Sequence, residues 1–148
     1  MNYSNKNMKS NFYLLTFLLI IFFTINGYAA ERKKYNFNSE WRLQVGDFPQ
    51  AKKSDFKDSS WKQVTLPHAF NEDEAFRISI EQHTDTVVWY RKHFRIEELK
   101  GKKVFVEFEG VRQGGEFFLN GQYLGLHENG VMAVGFDLTP YMKEGDNV

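Results

Sequence analysis

The stretch from Val87 to Ile96 reads VVWYRKHFRI, and it is the clearest indication of the fold. It is rich in β-branched and aromatic residues, and apolar side chains recur at every second position, which is typical of a β-strand. The residues that share its apolar face are Val88, Tyr90, Phe94 and Ile96. The pattern therefore predicts one strand over Val87–Ile96.

The next stretch, Lys103 to Val111 (KVFVEFEGV), alternates even more regularly. Val104, Val106 and Phe108 fall on one face of a predicted strand. Phe105, Glu107 and Glu109 fall on the other face. A period of two with one apolar face is typical of a half-buried antiparallel strand.

Working outward, the rest of the chain beyond Ala30 also predicts strands and turns, with no segment of helical period. In Glu116–Leu124 the dipeptide Asn120-Gly121 favours a type I′ hairpin turn, because both residues tolerate positive φ angles. Further short strands are predicted at Trp41–Val45, Trp61–Leu66 and Phe136–Leu138. Strands at this spacing indicate an all-β sandwich.

Two features of the remaining chain refine that prediction. The long polar stretch Asn71–Asp85 favours crossing connections, and so a jelly-roll β-sandwich similar to galactose-binding domains. Lys143–Asn147 is interpreted as a turn and Val148 as the first residue of another strand. A sandwich without that strand would expose an open edge, so we expect the last strand or strands to be missing and the sequence to be a fragment.

The first 29 residues have the order of a secretory signal peptide. Lys6 and Lys9 precede an apolar run, Phe12–Ile25, which ends shortly before Gly27-Tyr28-Ala29. A membrane-spanning helix needs about 20 apolar residues, and this run has 14. We therefore expect cleavage after Ala29, a domain over residues 30–148, and export to the periplasm or the extracellular space.

Composition restricts the possible partners. The chain has no cysteine, so the fold must rest on its hydrophobic core. Without Lys6 and Lys9, 17 basic residues face 19 acidic ones, a net charge of −2, and no basic cluster indicates a nucleic-acid partner. The four histidines lack metal-ligand spacing, and we expect neither a metal nor a cofactor; they are His68, His83, His93 and His127.

Six short motifs follow one another from Trp61 to Val148, and together they carry a family resemblance. They are Trp61…Leu66-Pro67-His68, Trp89-Tyr90-Arg91-Lys92-His93-Phe94, Phe108-Glu109-Gly110-Val111, Leu119-Asn120-Gly121-Gln122-Tyr123-Leu124-Gly125, Phe136-Asp137-Leu138-Thr139-Pro140-Tyr141 and Gly145-Asp146-Asn147-Val148. In this order they resemble the sugar-binding domain that opens family 2 glycoside hydrolases, which include β-galactosidases, β-glucuronidases and β-mannosidases. Each motif also has a structural role in a sandwich, so most of these residues are expected to specify the fold.

The resemblance implies an exported β-glycosidase, similar to β-galactosidases, whose two catalytic carboxylates lie on a downstream (β/α)₈ barrel. Such a barrel takes about 250 residues, so we expect no catalytic residue in this chain. Asn71-Glu72 imitates the family's Asn-Glu pair, but it lies in a polar loop and not on a barrel strand. Glu107 and Glu109 are interpreted as a solvated strand face.

The resemblance also implies that loops of this domain contact the terminal sugar. One candidate group is His68, Asn71 and Asp73, in and after the Leu66-Pro67-His68 motif. A second group is Arg112 with Glu128 and Asn129. Relatives carry a Gly-Gly pair where this chain has Asn129-Gly130, and their acidic substrate contact lies beyond Val148.

Three readings of function stay open. The first is the non-catalytic domain of a β-glycosidase, whose partners are a β-galactoside-like carbohydrate and the missing C-terminal domains of the same polypeptide. The second is a free-standing carbohydrate-binding module that stacks sugar rings on Tyr123, Phe118 or Trp41. The third is an interaction domain, such as a dimerisation element of a homo-oligomeric parent enzyme.

Overall fold

The protein is known from a computed structural model that describes residues 13, 15–17, 32–71 and 86–148. The chain divides into two units, Met1–Tyr35 and Asn36–Val148. In the first unit, residues 13 and 15–17 are helical. The predicted signal peptide lies almost wholly outside the described residues and stays a prediction. Within the described part of the chain, no helix is long and apolar enough to cross a membrane.

The described residues of the second unit form nine short β-strands and one 3-10 helix. In chain order they are β1 (Trp41–Val45), the 3-10 helix Pro49–Lys52, β2 (Lys62–Val64), β3 (Val88–Lys92), β4 (Phe94–Ile96), β5 (Phe105–Phe108), β6 (Gly115–Leu119), β7 (Gln122–His127), β8 (Val134–Asp137) and β9 (Gly145–Asn147). The 3-10 helix lies in the polar segment between β1 and β2.

All strand pairs are antiparallel. One sheet has the order β2-β1-β3, and the other pairs are nested: β4 with β9, β5 with β8 and β6 with β7. Nested pairing of this kind is what results when a long hairpin folds over into a jelly roll. The predicted all-β sandwich is confirmed.

Aromatic rings join these separate sheets into one core. Phe37 lies 5.1 Å from Phe94 of β4 and 5.7 Å from Trp41 of β1, measured between ring centroids. Trp41 contacts Phe108 of β5 at 6.3 Å. Phe108 then contacts Phe117 of β6 at 4.9 Å, and Phe117 contacts Phe136 of β8 at 4.8 Å. Because aromatic pairs at such distances are favourable, this run links five strands from four sheets.

The alternation predicted for β5 is present. Val104 and Val106 pack against a buried cluster, which consists of Leu119, Leu138 and Met142. On the other face Phe105 is 65% exposed, and Glu107 is exposed as well. The inward face of β5 therefore supplies core, and its outward face is solvated as the pattern predicted.

The hairpin between β6 and β7 also follows the prediction. Its two turn residues, Asn120 and Gly121, have φ angles of 53° and 86°. Positive φ at both central positions is the requirement of a type I′ turn, and Asn-Gly satisfies it best. The dipeptide therefore sets the turn, and with it the pairing of β6 with β7.

Two predicted boundaries are wrong. The single strand expected over Val87–Ile96 is two strands, since β3 pairs with β1 while β4 pairs with β9, and His93 lies between them. The second error concerns Gly145–Asn147, which were expected in a turn. They form β9, in which Asn147 lies opposite Phe94 and Gly145 lies opposite Ile96.

Asn147 explains why a polar, turn-like segment becomes a strand. Its side chain is 1% exposed, and all its polar positions are used. Oδ1 accepts hydrogen bonds from Asn120 Nδ2 (2.8 Å) and from the backbone N–H of Lys143 (3.0 Å). Nδ2 donates to the carbonyl oxygens of Lys143 (2.8 Å) and Gly145 (3.0 Å). The side chain therefore fixes β9 and joins it to the hairpin turn.

Replacing Asn147 by alanine should lower the free energy of unfolding by about 2–4 kcal/mol, because buried partners lose their hydrogen bonds. The matched control is Asp146→Ala, in the same strand. Asp146 is exposed and pairs with Arg95 at 3.1 Å, an exposed ion pair worth at most about 1 kcal/mol. Urea denaturation of both variants measures the difference, and equal midpoints would contradict the role given to Asn147.

Candidate functional site

The first predicted group lies where the chain leaves β2. The side chain of His68 is half-buried, and its Nδ1 lies 3.2 Å from the hydroxyl oxygen of Tyr90 on β3. The Tyr90 hydroxyl also lies 3.4 Å from the carbonyl oxygen of His68. Asn71 is half-buried, and Asp73 lies outside the described residues. His68 is thus held against the sheet by Tyr90, and its predicted sugar contact stays a prediction.

The second predicted group comes together at the ends of β6 and β7. A Cβ atom at Gly130 would lie 3.0 Å from the backbone nitrogen of Gln113 and 3.4 Å from Cα of Arg112. A Cβ atom at Gly114 would lie 3.9 Å from Cγ of Glu128. The 112–114 loop and the 128–130 turn therefore lie directly against each other. Glycine at position 130 is required by this close approach.

The side chains of this second group point into solvent. Arg112, Glu128 and Asn129 are all exposed. Asn129 Oδ1 accepts a hydrogen bond of 3.3 Å from the backbone N–H of Val131, which shapes the turn. A guanidinium donates hydrogen bonds and a carboxylate accepts them, so Arg112 and Glu128 present a donor group and an acceptor group to solvent. Within the described residues, no hydrogen bond joins this group to His68 or Asn71.

The aromatic residues considered for sugar stacking have different positions. Trp41 belongs to the core run described above, and its indole N–H donates to the carbonyl oxygen of Phe37 at 2.8 Å. Phe118 is half-buried against Trp89, at 6.2 Å between ring centroids. Tyr123 packs on Phe118 at 5.5 Å and is 51% exposed. Of the three, Tyr123 presents the most ring surface to solvent.

A buried charge cluster was missed by the sequence analysis. Asp58 lies in the polar segment between β1 and β2, yet it is only 3% exposed. Its Oδ2 accepts a hydrogen bond from Arg91 Nε (2.7 Å) and lies 2.8 Å from His93 Nε2, while Oδ1 accepts one from Arg42. Arg91 also donates to the carbonyl oxygens of Ala51 and Lys53. The cluster fastens the 46–61 segment to β1 and β3.

The cluster changes the ionisation of its carboxylate. Burial raises the pKa of Asp58, but the hydrogen bonds from Arg91, His93 and Arg42 and the charge of His93 outweigh it. The pKa falls from 3.8 to about 2 as a result. A buried carboxylate held by several charged donors is a structural element that specifies one position of the loop. Within the described residues, no group of three or more histidine or acidic side chains is placed to hold a metal ion.

Comparison with known protein families identifies the family to which the β-sandwich unit belongs. The family described as glycosyl hydrolases family 2, sugar binding domain, matches residues 35–148. A β-glucuronidase of Formosa agariphila is 40% identical over 126 residues, which cover 80% of this chain and 13% of that protein. A β-galactosidase of Thermoanaerobacter pseudethanolicus is 40% identical over 116 residues, with 78% of this chain and 16% of that protein covered.

The fold agrees with this match. A solved structure of a β-glucuronidase from glycoside hydrolase family 2 superposes with a TM-score of 0.70 at 36% identity. The superposition covers 80% of this chain and 14% of that one. The chain thus spans about one seventh of the length of the relatives it matches.

The close approach at the second group gives a test of its geometry. Gly130→Ala should push the 112–114 loop away and lower the free energy of unfolding by about 1–3 kcal/mol, as overpacking does. Gly110→Ala is the matched control, because a Cβ atom there meets no atom within 4 Å. Removing a glycine at such a site leaves stability unchanged or raises it by up to about 1 kcal/mol. Equal urea midpoints for the two variants would contradict the packing described.

The charge cluster predicts a dependence of stability on pH. The pKa of Asp58 is lower in the folded chain than in the unfolded chain, so the folded state binds fewer protons and stability rises with pH. The contribution is about 2 kcal/mol above pH 5, and it is lost as the pH falls from about 5 towards 2.

Asp58→Asn should cost about 3 kcal/mol at pH 7, because two arginines lose their buried counter-charge. The stability difference between wild type and this variant should then shrink below pH 5. Asp55→Asn, at an exposed position in the same loop, should follow the wild type at every pH. Urea denaturation between pH 2.5 and 7 measures all three chains, and a constant difference over that range would refute the linkage.

Proposed function

The chain belongs to glycoside hydrolase family 2, and from this membership we propose that it is the sugar-binding first domain of an exported β-galactosidase-like enzyme. The parent enzyme hydrolyses O-glycosidic bonds in carbohydrate metabolism. The observation that carries the proposal is the family match over residues 35–148, which coincides with the β-sandwich. The resident partners are the later domains of the same polypeptide.

The role of this domain is non-catalytic. Hydrolysis with retention needs two carboxylates about 5–5.5 Å apart on either side of the bond, and the family places them on a barrel of about 250 residues. The described residues of Asn36–Val148 form a β-sandwich, which is a different fold from such a barrel. Of the pair Asn71-Glu72, Asn71 lies in a turn after β2, and Glu72 lies outside the described residues.

The contribution to substrate binding comes from loops. Arg112 and Glu128 are exposed and lie on loops that contact each other, so they can offer a donor and an acceptor to one sugar. His68 and Asn71 belong to the first group, and Asp73 is assigned to it on sequence alone. A loop contact of this kind adjusts the affinity for the terminal sugar and leaves the bond-breaking step to the barrel.

A free-standing carbohydrate-binding module is the second candidate. The half-exposed ring of Tyr123 favours it, since an exposed aromatic ring is a platform for a sugar face. Such a module would act without the later domains. It would bind galactosides by itself, with dissociation constants in the millimolar range or tighter.

Peptide and intact-mass spectrometry of the native protein from its source tests the proposal. We expect a polypeptide several times longer than 148 residues, whose first residue is Ala30 because the signal peptide is removed after Ala29. The purified protein should hydrolyse an aryl β-galactoside, and an aryl β-glucuronide is the comparison substrate.

Three results would each contradict a different part of the proposed function. A mature protein that ends at Val148 and binds galactosides favours the module. Preference for the β-glucuronide would contradict the proposed galactoside specificity and leave the assignment of the sugar-binding domain intact. A native N-terminus at Met1 would contradict the proposed export.

A further inference from the structure

Two Asn-Gly dipeptides occur in Asn36–Val148, and their asparagine side chains have different surroundings. Asn120-Gly121 forms the turn between β6 and β7, and Asn129-Gly130 lies just after β7. An asparagine before a glycine can react with its own backbone, because glycine has no Cβ atom to shield its nitrogen. Asparagine is therefore a chemically labile residue, and its surroundings decide whether it reacts.

The reaction needs only water. The backbone nitrogen of the glycine loses its proton to solvent and attacks Cγ of the asparagine. The Cγ–Nδ2 bond breaks, and the side-chain nitrogen takes up a proton and leaves as ammonia. Water then opens the cyclic imide at either of its carbonyl carbons. One opening gives aspartate, and the other gives isoaspartate, in which the main chain runs through Cβ and Cγ. In sum, an amide and water become a carboxylate and an ammonium ion.

The side chain of Asn120 is held at both of its polar atoms. Nδ2 donates to the carbonyl oxygen of Tyr141 (3.0 Å) and to Oδ1 of Asn147 (2.8 Å). Oδ1 accepts a hydrogen bond from the backbone N–H of Val148 (3.1 Å). The leaving nitrogen itself makes two of these bonds, so the attack on Cγ has to break them. The fold therefore protects Asn120.

The side chain of Asn129 has no such restraint. It is exposed, and within the described residues its one hydrogen bond is accepted by Oδ1 from the backbone N–H of Val131, at 3.3 Å. A side chain bonded to the N–H two residues ahead folds over the intervening peptide, which brings Cγ towards the nitrogen of Gly130. The attack puts negative charge on Oδ1, and a donor already placed at that oxygen stabilises the transition state.

We propose that Asn129-Gly130 is a site of spontaneous deamidation in the folded protein, and that the fold protects Asn120-Gly121 from the same reaction. The proposal is independent of the proposed function, because the reacting atoms belong to Asn129, Gly130 and water alone.

The modification changes the second candidate group. Either product adds a carboxylate beside the exposed Glu128. Isoaspartate also lengthens the main chain by an atom in a turn that is already tightly packed, since a Cβ atom at Gly130 would lie 3.0 Å from the backbone nitrogen of Gln113. We therefore expect the 112–114 loop to move when isoaspartate forms.

One tryptic peptide reports both sites. Cleavage after Arg112 and after Lys143 releases residues 113–143, which contain both dipeptides. The native polypeptide is kept folded in mildly alkaline buffer and sampled over weeks, and each sample is digested at mildly acidic pH to limit further reaction. Electron-transfer fragmentation locates the converted residue and distinguishes isoaspartate from aspartate. We expect Asn129 to convert at least about tenfold faster than Asn120, which corresponds to a barrier lower by about 1.4 kcal/mol.

Unfolding is the first control, and a matched variant is the second. In guanidinium chloride both side chains lose their surroundings, so the two rates should become similar. Asn129→Gln has a longer side chain that cannot close the same ring. Conversion at position 129 should then disappear, while the rate at Asn120 in the folded polypeptide stays as it was.

Several results would overturn the proposal. Equal rates at the two sites of the folded polypeptide would do so, as would a faster reaction at Asn120. An Asn129 that stays intact in the folded polypeptide, while the unfolded polypeptide converts both sites, would show that the fold protects this turn too. An unchanged ratio in guanidinium chloride would assign the difference to local sequence.

The effect on packing has its own measurement. Anion exchange separates the modified polypeptide by its added charge, and amide hydrogen exchange compares it with the unmodified one. The amides of the 112–114 loop should exchange faster after modification. Identical exchange in the two fractions would contradict the displacement of this loop.

Discussion

The buried carboxylate of Asp58 holds a polar segment of the chain to two strands of the sheet. It bridges Arg42 of β1 and Arg91 of β3 and reaches His93 at the break before β4. These partners stand 16, 33 and 35 residues away from it in the sequence. One buried anion thus fixes a polar segment on one face of the sheet, while the aromatic run packs on the other. The charge is tolerated there because several donors surround it.

The two-sided burial of β3 shows where sequence patterns succeed and where they fail. Alternation predicted β5 correctly, because only one of its faces meets the core. In β3 both Arg91 and Lys92 are buried, although alternation assigns neighbours to opposite faces and one of those to solvent. Lys92 reaches the carbonyl oxygen of Ser39 and lies 4.8 Å from the ring centroid of Phe37. Partners so distant in sequence leave no local signal, so the covered polar face could not be predicted.

The candidate site and the hairpin turn also combine features that local sequence predicts with contacts between residues distant in sequence. The Asn120-Gly121 turn could be predicted because φ angles are a property of the two residues themselves. Its second role, the bond between Asn120 and Asn147, joins residues 27 apart and appears only in the structure. The loop of Arg112 and the turn of Glu128 were grouped by resemblance. They lie close together because β6 pairs with β7 along its whole length, which brings the start of β6 beside the end of β7. The motif residues that carry the resemblance thus include residues that stabilise the fold as well as candidate sugar contacts.

The bond between Asn120 and Asn147 also has a consequence for the timing of synthesis. A ribosome adds about 5–20 residues per second, so the 27 residues from Gly121 to Asn147 take about 1–5 s to make. During that interval the hairpin can form, since a hairpin closes in microseconds, but β4 has no partner strand and the Asn120 amide has no Asn147. Until Asn147 is added, β4 therefore has an unpaired edge, and this exposure ends when the backbone of β9 pairs with β4 and the Asn147 side chain bonds to Asn120.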